Sequence, residues 1–300
     1  MEVFPPRPEI GHHANSRSAL RFEDVSQDGR IILGALPTTL GVRVWREMAS
    51  GDSDIDAQPE QRIVPVLSRL IVKGMPGPFS VRGDLTVEGI FRLARTERGR
   101  LMFDMWADVR SSRGRTYGAV DGEGSPALAG QVFAEHVLTR PFAPPGARRV
   151  ERLEFRGAPE VRDVRGDPVA ADTIISIPPG ATPIESQMTP EPTPRTFGLL
   201  HTDSNHHVNS LTYLRVVEEA ALRRFASLGR PANVLGRFID IAYRKPCFAG
   251  QNVRIVLRAY ELPGTLGVVA MVVDDAEEQI ALGANGVPRP HVCARMEFEP

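Results

Sequence analysis

The sequence predicts an α+β protein of two similar halves, each an antiparallel sheet wrapped around one long helix. One helical pattern stands in each half, at residues 37–50 and 210–228. Each is followed by four runs of strand length. A proline-rich stretch, residues 144–195, separates the halves. The 300 residues suffice for two ordinary domains, and so long an irregular stretch inside one compact domain would be unusual.

Residues 1–17 are rich in Pro, His and Ser without periodicity, and read as a flexible tail. The N-terminal half spans 18–143. Residues 18–32 form a strand pattern with a turn at Asp28-Gly29. Residues 37–50 form a helical one, with Pro37 suited to the first turn and Leu40, Val44, Trp45 and Met48 on one face. Four strands are expected at 63–73, 79–95, 100–110 and 131–139. The middle two are joined by Thr96-Glu97-Arg98-Gly99, a short hairpin signal. Prolines then punctuate 144–195 and make regular helix hard to build. Extended pieces at 152–155 and 173–177 are the most that this linker is expected to hold.

The C-terminal half, 196–300, contains the stronger helix. Leu211, Leu214, Val217, Ala221, Phe225 and Leu228 follow amphipathic spacing, and Gly229 with Pro231 supplies a stop. Strands are expected at 237–245, 252–260, 266–273 and 291–298. The third of these is apolar throughout and therefore buried on both faces.

Composition narrows the classes of function. Hydrophobic residues make up 42% and charged residues 24%, enough for a sizeable core. The net charge of −1, from 36 basic against 37 acidic residues, gives no general pull towards nucleic acid or an anionic membrane. Cys247 and Cys293 are the only cysteines, too few for a disulfide framework or a four-cysteine zinc site. With neither a basic-then-apolar start nor an apolar run of membrane-spanning length, a cytoplasmic protein is expected, as monomer or homodimer.

The sharpest chemical signal is His201-Thr-Asp203-Ser-Asn205-His206-His207-Val208-Asn209-Ser-Leu-Thr-Tyr213, just before the strong helix. In an extended segment, residues two apart point the same way. Asp203, Asn205 and His207 would then aim a carboxylate, an amide and an imidazole at one spot beside the positive end of a helix, where backbone N–H groups can hold developing negative charge.

The run Asp-x-Asn-x-His-Val-Asn-x-x-x-Tyr resembles the acyl-acyl-carrier-protein thioesterases and, more loosely, hotdog-fold acyl-CoA thioesterases. The similarity continues into Tyr243-Arg244-Lys245-Pro246-Cys247. It implies a double hotdog and hydrolysis of an acyl thioester, from a carrier protein or coenzyme A, to free acid and thiol, without cofactor or metal. Asp203 and His207 would orient and deprotonate water, Asn205 would position water or carbonyl, and Val208, Asn209, Tyr213 and Cys247 would line the substrate. Some family members place an acid close to the matching cysteine. Here Lys245 and Pro246 stand there, and Glu219 on the helix is the candidate substitute. The N-terminal half is expected to be degenerate, since its junction from Asp28 to Pro37 offers neither Asn nor His.

Plainer roles compete with each of these. Asp and Asn also cap helices. Glu219 precedes Arg223 by four, the spacing of an ordinary helix ion pair. A lone Cys247 is by default a small buried apolar residue, with a nucleophile as the sharper alternative. Tyr213 suits core or pocket wall. A zinc site from His201, Asp203, His206 and His207 matches no common ligand spacing. Two further classes stay open: a hotdog dehydratase or hydratase, and a non-catalytic acyl-binding accessory protein.

Overall fold

A computed structural model describes residues 4–9, 11–37, 63–117, 126–153, 161, 163–275 and 290–300. The chain divides into two compact units, Val3–Pro168 and Val169–Pro300.

The N-terminal unit is an antiparallel sheet of β1 (His12–Ala19), β2 (Val64–Gly74), β3 (Asp84–Thr96), β4 (Leu101–Ser111) and β5 (Ala127–Thr139) in the order β1-β3-β4-β5-β2. A short β6 (Asp163–Arg165) runs parallel to β3. The β3–β4 hairpin turns where its sequence signal stands: Thr96 N–H donates to the Arg100 carbonyl (2.9 Å), and Gly99 takes φ +79°, a left-handed conformation that suits glycine.

Three readings of this half change. β1 begins inside the stretch read as a tail. Its pairing to Asp84–Phe91 of β3 runs through the main chain, and Ala14 alone among its side chains is buried, so no apolar alternation announces it. The strand expected at 18–32 ends at Ala19. A 3-10 turn at Phe22–Asp24 follows, closed by Asp24 accepting the Arg21 N–H at 3.0 Å. The expected helix at 37–50 lies, beyond Pro37, outside the described residues.

β4 is buried on both faces from Leu101 to Ala107. Its polar member, Asp104, stands opposite Glu135 of β5. Arg165 of β6 bridges both carboxylates, reaching Glu135 at 2.7 Å. Arg92 reaches Asp104 at 3.2 Å, and Ser68 donates to Glu135 at 2.7 Å. Buried charges demand such pairing, and the cluster holds β6 to the sheet.

The C-terminal unit orders β10 (Leu235–Tyr243), β13 (Val292–Glu299), β12 (Thr265–Asp274) and β11 (Asn252–Leu262) as β10-β13-β12-β11, all antiparallel. Three two-residue pieces line the free edge of β11: β7 (Thr182–Pro183), β8 (Thr189–Pro190) and β9 (Arg195–Thr196). The rear of the expected linker is therefore a broken edge strand of this unit. Pro183 and Pro190 fit because only an edge tolerates a missing ladder donor. Residues 173–177 are not extended: a one-turn helix, α1, occupies Ala171–Ile174. Asp172 accepts the Thr173 N–H at 2.9 Å, and Ser176 donates to the Asp172 carbonyl at 3.1 Å. These local bonds outweigh the β-branched propensity of the run. The other expected piece, 152–155, carries no strand at 152–153 and leaves the described residues at 154.

The long helix α2 spans Ser210–Ser227. Val217, Ala220, Ala221 and Phe225 are wholly buried. Gly229 (φ +66°) ends it, with Arg230 N–H donating to the Phe225 carbonyl at 2.8 Å and Gly229 N–H to Ala226 at 3.1 Å, the paired bonds of a glycine-terminated helix. Buried Arg224 ties α2 to the edge pieces through Glu185 (2.6 Å) and Glu191 (3.1 Å). β12 is buried from Gly267 to Val273, as its apolar run predicts.

Candidate active site

Residues 203–207 form a tight turn, not an extended strand. Asp203 N–H donates to the His207 carbonyl and His206 N–H to the Asp203 carbonyl, each at 3.0 Å. His206 adopts φ +63°. Thr202 and Val208 bridge at its base. The expectation that Asp203, Asn205 and His207 share a side by period-two alternation is thus corrected: the turn brings Asp203 and His207 together by main-chain bonds instead.

The Asp203 carboxylate is fixed in place. Oδ1 accepts the Asn205 N–H at 2.9 Å, and Oδ2 accepts from Asn209 Nδ2 at 3.3 Å. Asn209 Oδ1 in turn accepts the Leu211 N–H at 2.9 Å, capping α2. The Asn209 carbonyl takes the Thr212 N–H at 3.0 Å. The cap thus uses two of the first-turn amides expected to face substrate, and Ser210 N–H is one that it leaves.

Asn205 and His207 are exposed. The His207 ring meets Phe248 edge-on, centroids 5.7 Å apart, and has no hydrogen-bond partner among the described residues. His201 is differently placed: its Nδ1 accepts the Gly198 N–H at 2.9 Å and its ring abuts Phe197. Exposed Leu199, Leu200 and Phe248 flank the turn.

The residues expected to line substrate frame the turn. Buried Val208 donates its N–H to the Cys247 carbonyl at 2.9 Å. Cys247 N–H donates to the Tyr213 hydroxyl at 3.0 Å. Tyr213 stacks edge-on with Phe197 and Tyr243, and Tyr243 donates to the Ser210 carbonyl at 3.1 Å. Burial pushes both phenols above their ordinary range. Cys247 is wholly buried, and burial pushes its thiol up to about 11, Asp274 adding to the rise against opposing help from Tyr213 and Lys245. A protonated, enclosed thiol is a poor nucleophile.

Glu219 stands apart. Nine residues into α2 it lies roughly 14 Å along the axis from Ser210. It ion-pairs with Arg195 and, at 3.8 Å, with Arg223. The ion-pair reading of this residue is the one that the geometry displays: the arginines hold the half-exposed carboxylate.

Sequence reasoning missed a polar cluster behind Cys247. His291 is 2% exposed and sits with Nδ1 3.2 Å from the Pro246 carbonyl and Nε2 2.9 Å from Asp274 Oδ1. Lys245 Nζ lies 2.7 Å from Asp274 Oδ2, and Gln251 also donates to this carboxylate. Partial burial pushes the Asp274 carboxyl up, but bonds from Lys245, His291 and Gln251 outweigh it and hold it at about 2. The members come from three separate stretches, so no local motif could show them. No group of three or more His, Cys, Asp or Glu among the described residues is placed to hold a metal ion.

Residues 183–284 match the family model of the acyl-ACP thioesterase C-terminal domain. The chain carries a segment similar to that domain. This segment includes the turn, α2 and the Cys247 frame. No curated protein matches the chain by sequence. Among solved structures, a Lactobacillus plantarum protein provisionally named an oleoyl thioesterase aligns over 97% of each chain at 13% identity and TM-score 0.58. An acyl-ACP thioesterase from Bacteroides thetaiotaomicron aligns over 96% of this chain and 98% of its own, at 15% identity and TM-score 0.52. The 12:0-ACP thioesterase of Umbellularia californica aligns over 98% and 100%, at 13% identity and TM-score 0.51. At such identities the likeness is one of fold, and the fold is hotdog-like. No helix among the described residues is long and apolar enough to cross a membrane.

Proposed function

We propose that the protein hydrolyses an acyl thioester, of a carrier protein or of coenzyme A, at the 203–207 turn. The carrying observation is the Asp203 carboxylate, held by Asn205 N–H and Asn209 Nδ2 in the same turn as His207, whose imidazole has no hydrogen-bond partner among the described residues. A general base needs a free lone pair near the water that it activates. His207 has one. Asp203 already accepts from two donors and serves better to fix the turn and to favour a positive charge forming on the imidazole. Asn205, exposed beside them, positions water or the thioester carbonyl.

In this scheme water attacks the carbonyl carbon as its proton passes to His207. The tetrahedral oxyanion forms beside the start of α2, where Ser210 N–H and the helix dipole favour it. Collapse breaks the carbon–sulfur bond, and the leaving thiolate takes the proton back from His207. The products are a carboxylic acid and a thiol, and neither cofactor nor metal enters the balance. The N-terminal unit is a second, degenerate hotdog in this reading, since its sequence lacks the motif.

The test is thiol release from acyl-coenzyme A and acyl-carrier-protein panels by wild type, Asp203→Ala and His207→Ala. Loss of at least about tenfold in both variants, ~1.4 kcal/mol of barrier, supports the site. Undiminished turnover in both overturns it. The preferred panel identifies the thiol partner.

A further inference from the structure

Between the sheet and the turn lies the dipeptide Pro246–Cys247, hydrogen-bonded on both sides. Its Cys247 carbonyl accepts Val208 N–H at 2.9 Å, next to His207, and its N–H donates to Tyr213 of α2 at 3.0 Å. From the sheet side, His291 Nδ1 is 3.2 Å from the Pro246 carbonyl. A carbonyl brings no proton, so the ring nitrogen donates. His291 also accepts the Arg244 N–H on its own carbonyl at 2.8 Å and donates its backbone N–H to Val272 at 2.8 Å. It thus ties the 244–247 segment to β12 by main chain and side chain together.

The imidazole is itself oriented. Nε2 faces Asp274 Oδ1 at 2.9 Å, a carboxylate anchored on its other oxygen by Lys245 at 2.7 Å. Gln251 closes the set, with its Oε1 accepting Phe248 N–H at 3.2 Å while its Nε2 donates to Asp274. Phe248 is the residue against which the His207 ring rests. The cluster therefore reaches the turn twice, through Cys247 to Val208 and through Phe248 to His207.

We propose that Asp274 and His291 are positioning residues for thioester hydrolysis, holding the Pro246–Cys247 peptide and, through it, the Val208 end of the catalytic turn. The inference rests on the catalytic reading of that turn. An aspartate–histidine pair with one partner almost fully enclosed is a poor source of net stability, because desolvation offsets much of the attraction. Its geometric effect is specific: it sets where a single peptide sits. Small displacements of a reacting group cost large factors in rate.

The experiment measures steady-state and single-turnover thiol release by the full chain. The probes are butanoyl-, dodecanoyl- and hexadecanoyl-coenzyme A and their carrier-protein counterparts. The proteins are wild type, His291→Leu, His291→Asn, His207→Ala and the double variant His291→Leu/His207→Ala, each with a thermal melt. His291→Leu is expected to lower kcat on the order of tenfold with KM nearly unchanged. His291→Asn, whose amide can still donate to the Pro246 carbonyl, restores most of it. In the His207→Ala background the Leu substitution has no further effect, the non-additivity of residues acting through one another. If His291→Leu does not fold, Asp274→Asn, at the more exposed end of the pair, replaces it with the same expectation for kcat. Wild-type kcat in the folded variant, or the same loss with and without His207, overturns the inference. Full turnover by His207→Ala instead sinks the catalytic reading of the turn, a result read from a different variant.

Discussion

Asn209 binds Asp203 with one end of its side chain and the first turn of α2 with the other. Nδ2 lies 3.3 Å from Asp203 Oδ2, and Oδ1 accepts Leu211 N–H at 2.9 Å. The capping role and the catalytic-motif role of this residue are thus halves of one amide. Helix start and carboxylate are set by the same side chain.

The two halves can be separated. Aspartate caps as well as asparagine but cannot donate. In Asn209→Asp the cap persists while a second carboxylate oxygen meets Asp203. The expected outcome is a kcat reduced by about tenfold or more with helix content retained. Asn209→Ala loses both functions, with a stability cost of about 1 kcal/mol. Thiol release and circular-dichroism melts on the same preparations check both. Equal activity in wild type and Asn209→Asp would sever the carboxylate from the cap.

Glu219→Gln is expected to leave turnover within about twofold. The carboxylate is half exposed and serves Arg195 and Arg223, pairs of the kind that contribute roughly 0–1 kcal/mol each. The check is kcat and KM beside the unfolding midpoint. A loss comparable to that of Asp203→Ala would return Glu219 to the mechanism.

The strong helix, the hairpin at 96–99 and the four C-terminal strands were legible because each carries its own local signal. Amphipathic spacing stops at Gly229, Gly99 takes the left-handed turn, and β12 is an unbroken apolar run. β1 was not legible, because an edge strand of His, Asn, Arg and Ser is held by main-chain bonds to β3. Nor were β7 to β9, where Pro183 and Pro190 read as breakers and are accommodated at an edge. At the site, Asp203, Asn205 and His207 stood out by type and spacing, but the alternation used to group them presumes a strand, and His206 at φ +63° makes a turn. His291 and Asp274 are 17 positions apart and meet Cys247 only once β12 and β13 pair.

Cys247→Ala separates side chain from peptide. The bonds that matter at this position are those of its N–H and carbonyl, and both survive the substitution. With the thiol pushed up to about 11 by burial, little thiolate exists at neutral pH. Turnover within about threefold of wild type is expected, since loss of a true nucleophile costs several orders of magnitude. Iodoacetamide should likewise leave the folded enzyme active. Abolished turnover in a folded Cys247→Ala protein would make the thiol the nucleophile.

The N-terminal unit should weaken in mild acid for a reason localised at His136. Burial drives its imidazole down from 6.5 to about 4, partly opposed by the bond of Nδ1 to the Phe103 carbonyl at 3.3 Å. The folded protein keeps this ring neutral, whereas the unfolded chain protonates it near 6.5. Between those values the unfolded state binds the extra proton, so stability rises with pH across the window. The contribution is complete above pH 6.5 and is lost progressively as pH falls towards about 4, up to roughly 3 kcal/mol in all. Asp274 acts in a lower window, since its carboxyl titrates between 3.8 unfolded and about 2 folded. Urea unfolding of the full chain at several pH values across the His136 window, for wild type and His136→Gln, measures the effect. Glutamine cannot take up the proton, so its stability profile should be flatter there by about one proton's slope. Parallel profiles for the two proteins would show that acid acts elsewhere.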